Sequence, residues 1–120
     1  MRVVKVPGNE RIGVVPYGSV PEVELDIEIV PKKGELIVRV TNPNTVKVET
    51  TNEIELYEKS TGFWRKLDPG IVFIERRIVL VPGETYEQRL PVDLEPGRYR
   101  LVKFAYVGGA KVKVEKEFRV

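Results

Sequence analysis

The sequence predicts an all-β domain: two antiparallel sheets packed face to face, built from about seven or eight strands. Three observations predict it. Apolar residues recur with period two rather than with the helical period, Gly- and Pro-bearing turn signals follow one another roughly every 8–12 residues, and no segment of helical length carries a sustained apolar stripe.

The elements follow in order. Residues 1–21, with three Pro and three Gly, read as an N-terminal arm in which Arg11–Val15 is a candidate extra edge strand; the domain proper runs over 22–120. From Glu22 to Ile29, strict alternation puts Val23, Leu25, Ile27 and Ile29 on one dry face and the carboxylates on the wet one. Pro31-Lys32-Lys33-Gly34 is a turn, after which Glu35–Thr41 resumes the pattern with Leu36, Val38 and Val40 inward until Asn42-Pro43-Asn44 breaks it. Glu53–Lys59 and Phe63–Leu67, joined through Ser60-Thr61-Gly62, suit a hairpin with a bulge. Asp68-Pro69-Gly70 ends that unit, and Ile71–Leu80 is the next strand region. Pro82-Gly83 and Pro96-Gly97 read as type II turns, in which Gly takes the positive φ that other residues resist. They bound Thr85–Leu90 and lead into Arg98–Val107. Gly108-Gly109 then turns the chain into Lys111–Val120, with Val112, Val114, Phe118 and Val120 on one side.

Composition excludes several function classes. The 120 residues suffice for one domain, and such a domain removes roughly two-thirds of its unfolded surface from water. Twenty basic against 18 acidic residues give a formal charge of +2, short of the positive excess that holds nucleic acid by phosphate neutralisation. Cys and His are absent, which removes disulfides, thiolate metal sites and imidazole acid–base chemistry. No stretch approaches the ~18 apolar residues of a membrane span. The N-terminus lacks the apolar run of a signal peptide; an intracellular protein and a cell-surface protein whose leader has been removed both fit. Abundant Glu, Lys, Arg and Val, with one Met and Gln88 as the sole Gln, match hyperthermophile composition and predict a thermostable fold.

Leu94-Glu95-Pro96-Gly97-Arg98-Tyr99-Arg100-Leu101 has the form of a tyrosine corner: Gly97 in the turn, Tyr99 opening a strand with its hydroxyl aimed back at the upstream backbone, Leu101 inward. Together with Leu56–Leu67 and Tyr99–Lys103, this segment resembles the bacterial immunoglobulin-like domains of small cell-surface and lipoprotein-type proteins, over roughly Glu22 to Val120. The resemblance implies an immunoglobulin-like sandwich, a non-enzymatic role, and no catalytic residues to carry over. The lipid-attachment Cys that many of those proteins carry has no counterpart here. A weaker resemblance, resting on Gly62-Phe63-Trp64-Arg65 and the Pro-Gly turns, is to intracellular proteinase inhibitors. That alternative requires a rigid exposed loop, for which Asn42–Asn52 and Asp68–Gly70 are the candidates.

Catalysis and cofactors find little footing. Ser19 and Ser60 sit in turns with no base beside them in sequence. Glu22, Glu24, Asp26 and Glu28 share one strand face and could ligate calcium, but a solvated face paired with Arg39 and Arg89 outweighs that reading. No metal, cofactor or catalytic residue is therefore expected. The basic run of Arg98, Arg100, Lys103, Lys111, Lys113, Lys116 and Arg119 could meet an acidic partner or surface polymer; pairing across the sheets and edge protection are the plainer explanation. Trp64 is expected in the core, as a lone Trp of this fold usually is.

One surface stands out. With Tyr99 and Leu101 inward, alternation turns Val102, Phe104 and Tyr106 outward, and Ile54 and Leu56 inward leave Tyr57 outward. Tyr57, Val102, Phe104 and Tyr106 then form an outer aromatic face, a candidate for a protein partner or self-association. Burial beneath the arm, or plain cross-strand stabilisation, competes with that reading.

Overall fold

Alternating runs carry over into extended backbone wherever turn residues separate them. A computed structural model of the chain describes residues 3–4, 23–71 and 76–120. Among them the strands are β1 (Val3–Val4), β2 (Asp26–Lys32), β3 (Glu35–Thr41), β4 (Val48–Thr51), β5 (Glu55–Ser60), β6 (Phe63–Leu67), β7 (Arg77–Leu80), β8 (Thr85–Leu90), β9 (Arg98–Val107) and β10 (Ala110–Arg119). A three-stranded sheet has the order β2-β3-β8, and a seven-stranded sheet runs β1-β10-β9-β4-β7, with β5 also paired to β9 and carrying β6. All pairings are antiparallel. The predicted all-β, two-sheet sandwich is the observed fold.

The dry faces meet between the sheets. Val23, Leu25, Ile27, Leu36, Val38, Val40 and Leu90 from one side pack in a single cluster with Val48, Leu56, Leu101, Ala105, Val112 and Val114 from the other. Burying a side chain of this kind stabilises by about 1.5–3 kcal/mol relative to leaving it exposed, so this interface holds the sheets together.

Turn chemistry explains the register, with three corrections. Gly83 has φ 84° and the Glu84 amide donates to the Val81 carbonyl at 3.0 Å, the expected type II turn. Gly108 and Gly109, at φ 55° and 84°, close Val107 onto Ala110, a two-residue turn with both central residues left-handed. Gly97, by contrast, is not left-handed: it exchanges both backbone hydrogen bonds with Val120, at 3.1 and 3.0 Å, and so prolongs the β9–β10 ladder. The β5–β6 hairpin has no bulge, since Ser60 pairs directly with Phe63 across Thr61-Gly62. Pro31 belongs to β2, opposite Leu36; β2 is an edge strand, where a missing N–H is tolerated, and the turn narrows to Lys33-Gly34.

The arm contributes Val3 and Val4, which pair with Val114 and Lys113 at the edge of β10. The suggested strand at Arg11–Val15 lies outside the described residues, as do residues 72–75 of the expected Ile71–Leu80 strand. Asn42-Pro43-Asn44 does more than interrupt a strand. Asn42 is 0 % exposed; its amide donates to the carbonyls of Val46 (2.9 Å) and Leu80 (2.8 Å), and its side-chain oxygen accepts from the Asn44 backbone N–H (2.8 Å). Asn44 in turn donates to the Glu24 carbonyl at 2.7 Å. Loop carbonyls that no ladder reaches are thereby satisfied.

Candidate interaction face

β9 lies between β10 on one side and β5, then β4, on the other. Its inward residues are Tyr99, Leu101, Lys103 and Ala105, all buried, so Arg100, Val102, Phe104 and Tyr106 point away from the core. Register places Tyr57 opposite Arg100 and Glu55 opposite Val102, and Lys113 and Lys111 opposite Phe104 and Tyr106. The four expected face residues thus share the outer side of the seven-stranded sheet. Their exposures differ: Val102 is 0 % exposed, whereas Tyr57, Phe104 and Tyr106 are half-buried. The Tyr57 hydroxyl donates to the Glu55 carboxylate at 2.9 Å, and burial together with that carboxylate pushes its pKa up.

Trp64 is on this face and not in the core. Leu67 pairs with Leu56, which turns Leu67 inward and Trp64, three residues before it, outward. The Arg100 guanidinium lies 4.4 Å from the indole centroid and the Lys59 ammonium 5.1 Å. Lys111 sits 4.3 Å from the Phe104 ring in the same way. A cation over a ring is worth about 0.5–1 kcal/mol at an exposed site, so these contacts hold the side chains in place. Carboxylates interleave: Glu115 with Lys113 (3.3 Å) and Arg100 (3.8 Å), Glu55 with Lys66 (3.6 Å), and Glu49 with Arg77 (3.5 Å).

Lys103, grouped by sequence with the exposed basic run, is instead 0 % exposed between the sheets. Residues 52–54 cross from β4 to β5 opposite this part of β9, so their carbonyls are not all met by a strand. The Lys103 Nζ donates to the carbonyls of Thr51 (2.6 Å) and Glu53 (3.3 Å) and to Gln88 Oε1 (3.4 Å). Gln88, on the facing sheet, donates its amide to the carbonyl between them, that of Asn52. Burial pushes the Lys103 pKa down to about 8, with the charge of Glu53 pulling the other way. Only the inward parity of position 103, two residues from Leu101 and Ala105, signals this in the sequence.

The remaining candidates fall into place. The Tyr99 hydroxyl donates to the Glu95 carbonyl at 2.6 Å, its ring stacks on Phe118 with centroids 5.5 Å apart, and Leu101 is buried beside it. Burial pushes the Tyr99 pKa up. On the outer face of the three-stranded sheet, Arg39 bridges Glu28 (3.1 Å) and Glu87 (2.8 Å), and Arg89 bridges Glu35 and Glu87 (both 3.2 Å). Hydrogen bonds from Arg39 and Arg89 hold the Glu87 carboxyl below its usual range. No group of three or more metal-ligating side chains occurs among the described residues. Within Asn42–Asn52, Val48–Thr51 is an internal strand between β9 and β7, not the exposed loop an inhibitor would present.

Among the described residues no helix is long and apolar enough to cross a membrane. Residues 19–119 match the sequence profile of a family described as "Bacterial Ig-like domain". No curated protein matches the chain.

Proposed function

The chain belongs to the bacterial Ig-like domain family, whose domains are generally non-catalytic, and from that premise we propose that it is a protein-binding module acting through the outer face of the seven-stranded sheet. One observation carries the reading: Tyr57, Trp64, Phe104 and Tyr106 gather outside the core on one sheet face, half-buried and, for two of them, beneath cations. Aromatic and Arg side chains held in fixed positions are what interaction hot spots are made of, because little side-chain freedom remains to be lost on binding.

Amine-reactive cross-linking in an extract of the source cells tests it, with the linked lysines mapped by mass spectrometry. Intermolecular links are expected at Lys59, Lys66, Lys111 and Lys113, and are expected to vanish in Phe104→Glu while the far-ultraviolet dichroism stays that of the folded chain. Links concentrated instead at Lys32, Lys33 and Lys47 would move the binding surface elsewhere.

A further inference from the structure

We infer that the partner of this face is an acidic polypeptide segment rather than a second copy of the chain, an inference that rests on the face being the binding surface. Register and alternation determine which charges point outward. On β9 and β10 they are Arg98, Arg100, Lys111, Lys113 and Arg119 against Glu115 and Glu117. Strands β4 to β7 add Lys59, Lys66 and Arg77 against Glu49 and Glu55. Among the described residues cations therefore exceed acids on this face by four, eight against four. On the outer face of the three-stranded sheet the balance is reversed, with Asp26, Glu28, Glu35 and Glu87 against Lys32, Arg39 and Arg89.

That surplus argues against a symmetric dimer. A two-fold axis brings the same patch of both copies together, and like charges facing each other across an interface are strongly unfavourable. The surplus calls for a negatively charged partner, and the ring geometry narrows its chemistry. A nucleobase or a sugar reads an aromatic platform by stacking on it, but Arg100 and Lys59 already lie against Trp64, and Lys111 against Phe104. What the face presents is guanidinium and ammonium groups. Carboxylates satisfy these, since a guanidinium fork and a carboxylate match in two parallel hydrogen bonds, and the small net charge of +2 does not favour a polyphosphate backbone. Lys111 makes no ion pair among the described residues, so a carboxylate can meet it without displacing another.

Trp64, the sole Trp, sits among these cations and reports on them by its fluorescence. The experiment titrates the full chain at low salt with an oligoglutamate peptide, a single-stranded DNA oligonucleotide and a sulfated polysaccharide, and follows the chain alone by sedimentation velocity. The expected result is a saturable change with oligoglutamate, weakened about tenfold or more by ~0.5 M salt and equally by Lys111→Glu combined with Lys113→Glu. The control pair Lys33→Glu with Lys47→Glu leaves it unchanged. DNA or polysaccharide binding as tightly as oligoglutamate, with the same loss in the Lys111/Lys113 variant, overturns the polypeptide partner and leaves the face standing. Loss confined to the Lys33/Lys47 variant overturns both the partner and the face. Reversible self-association abolished by Phe104→Glu overturns the partner in favour of a second copy. Failure of oligoglutamate to bind at low salt overturns this inference alone, because the cross-link map judges the face independently.

Discussion

Strands β3 and β9 each run through the middle of a sheet, yet their inward faces are built differently. β3 keeps the same neighbours throughout, pairing with β2 over Glu35–Thr41 and with β8 over Leu36–Thr41. Its inward residues Leu36, Val38 and Val40 are aliphatic and fully buried, and even its outward Ile37 is only 2 % exposed. β9 changes neighbour partway: β5 pairs with Tyr99–Val102 and β4 with Ala105–Tyr106. Opposite the gap the inward residue is Lys103. An unmet buried carbonyl costs about 1–3 kcal/mol, and the crossover offers several. A long donor projected from the neighbouring strand meets two of them, and Gln88 meets the third. The difference teaches that a sheet interior is dictated by where backbone hydrogen bonds go as well as by hydrophobicity.

The most direct way to break this comparison is Lys103→Ala, which removes the donor and empties the space its stem fills. The two effects together are expected to lower stability by about 3–5 kcal/mol in denaturant titration. A loss below about 1 kcal/mol would mean that water or Gln88 serves the crossover unaided. A somewhat smaller effect comes from pH. The folded-state pKa of Lys103 is pushed down to about 8, so between there and the ordinary lysine value of about 10.4 the unfolded chain binds more protons than the folded one. Stability from this group therefore rises with pH across that window. Lys103→Met has no such term, and the stability of the native chain relative to this variant is expected to rise by about 3 kcal/mol from pH 7 to pH 10.5. Tyr57 and Tyr99 act in the opposite sense, because burial raises their folded pKa values and their contribution falls above pH 10; they are common to both proteins and cancel in the difference. A constant gap would show that Lys103 titrates as it does in water.

The same contrast explains what was legible in the sequence. Alternation reveals β2 and β3, apolar at every second position of their inward faces, and the parts of β5 and β10 around Leu56 and around Val112 and Val114. It also put Val102, Phe104 and Tyr106 on the outer side of β9 and Tyr57 on the outer side of β5. It does not show that Val102 is covered there, since cover on a sheet face is set by tertiary packing that alternation does not record. The habit of the fold places Trp64 in the core, although counting back from Leu67 turns it outward; the register Leu56–Leu67 that settles the matter is a tertiary fact. Lys103 was hidden for a related reason. Its burial is required by a change of neighbour between Val102 and Ala105, and nothing in a one-dimensional hydrophobic pattern records which strand lies alongside which. Gly97 departs from the expected type II turn because Pro-Gly signals a turn locally, whereas its paired hydrogen bonds with Val120 tie it to the β9–β10 ladder.

The finest test of the comparison concerns how the two strands are anchored at their ends. β3 is followed directly by Asn42, whose side chain ties the 44–46 loop and Leu80 together. Near the start of β9 stands Tyr99, whose hydroxyl makes one bond, to the Glu95 carbonyl at 2.6 Å. If β9 depends on the lysine in its middle more than on this tyrosine, Tyr99→Phe should matter far less than Lys103→Ala. The ring and its contact with Phe118 are retained, and one hydrogen bond is lost, for about 1 kcal/mol. Denaturant midpoints of the two variants measured side by side decide it. A Tyr99→Phe loss equal to that of Lys103→Ala would shift the organising contact of β9 to the strand's first turn, and the crossover carbonyls would then follow from its placement instead of governing it.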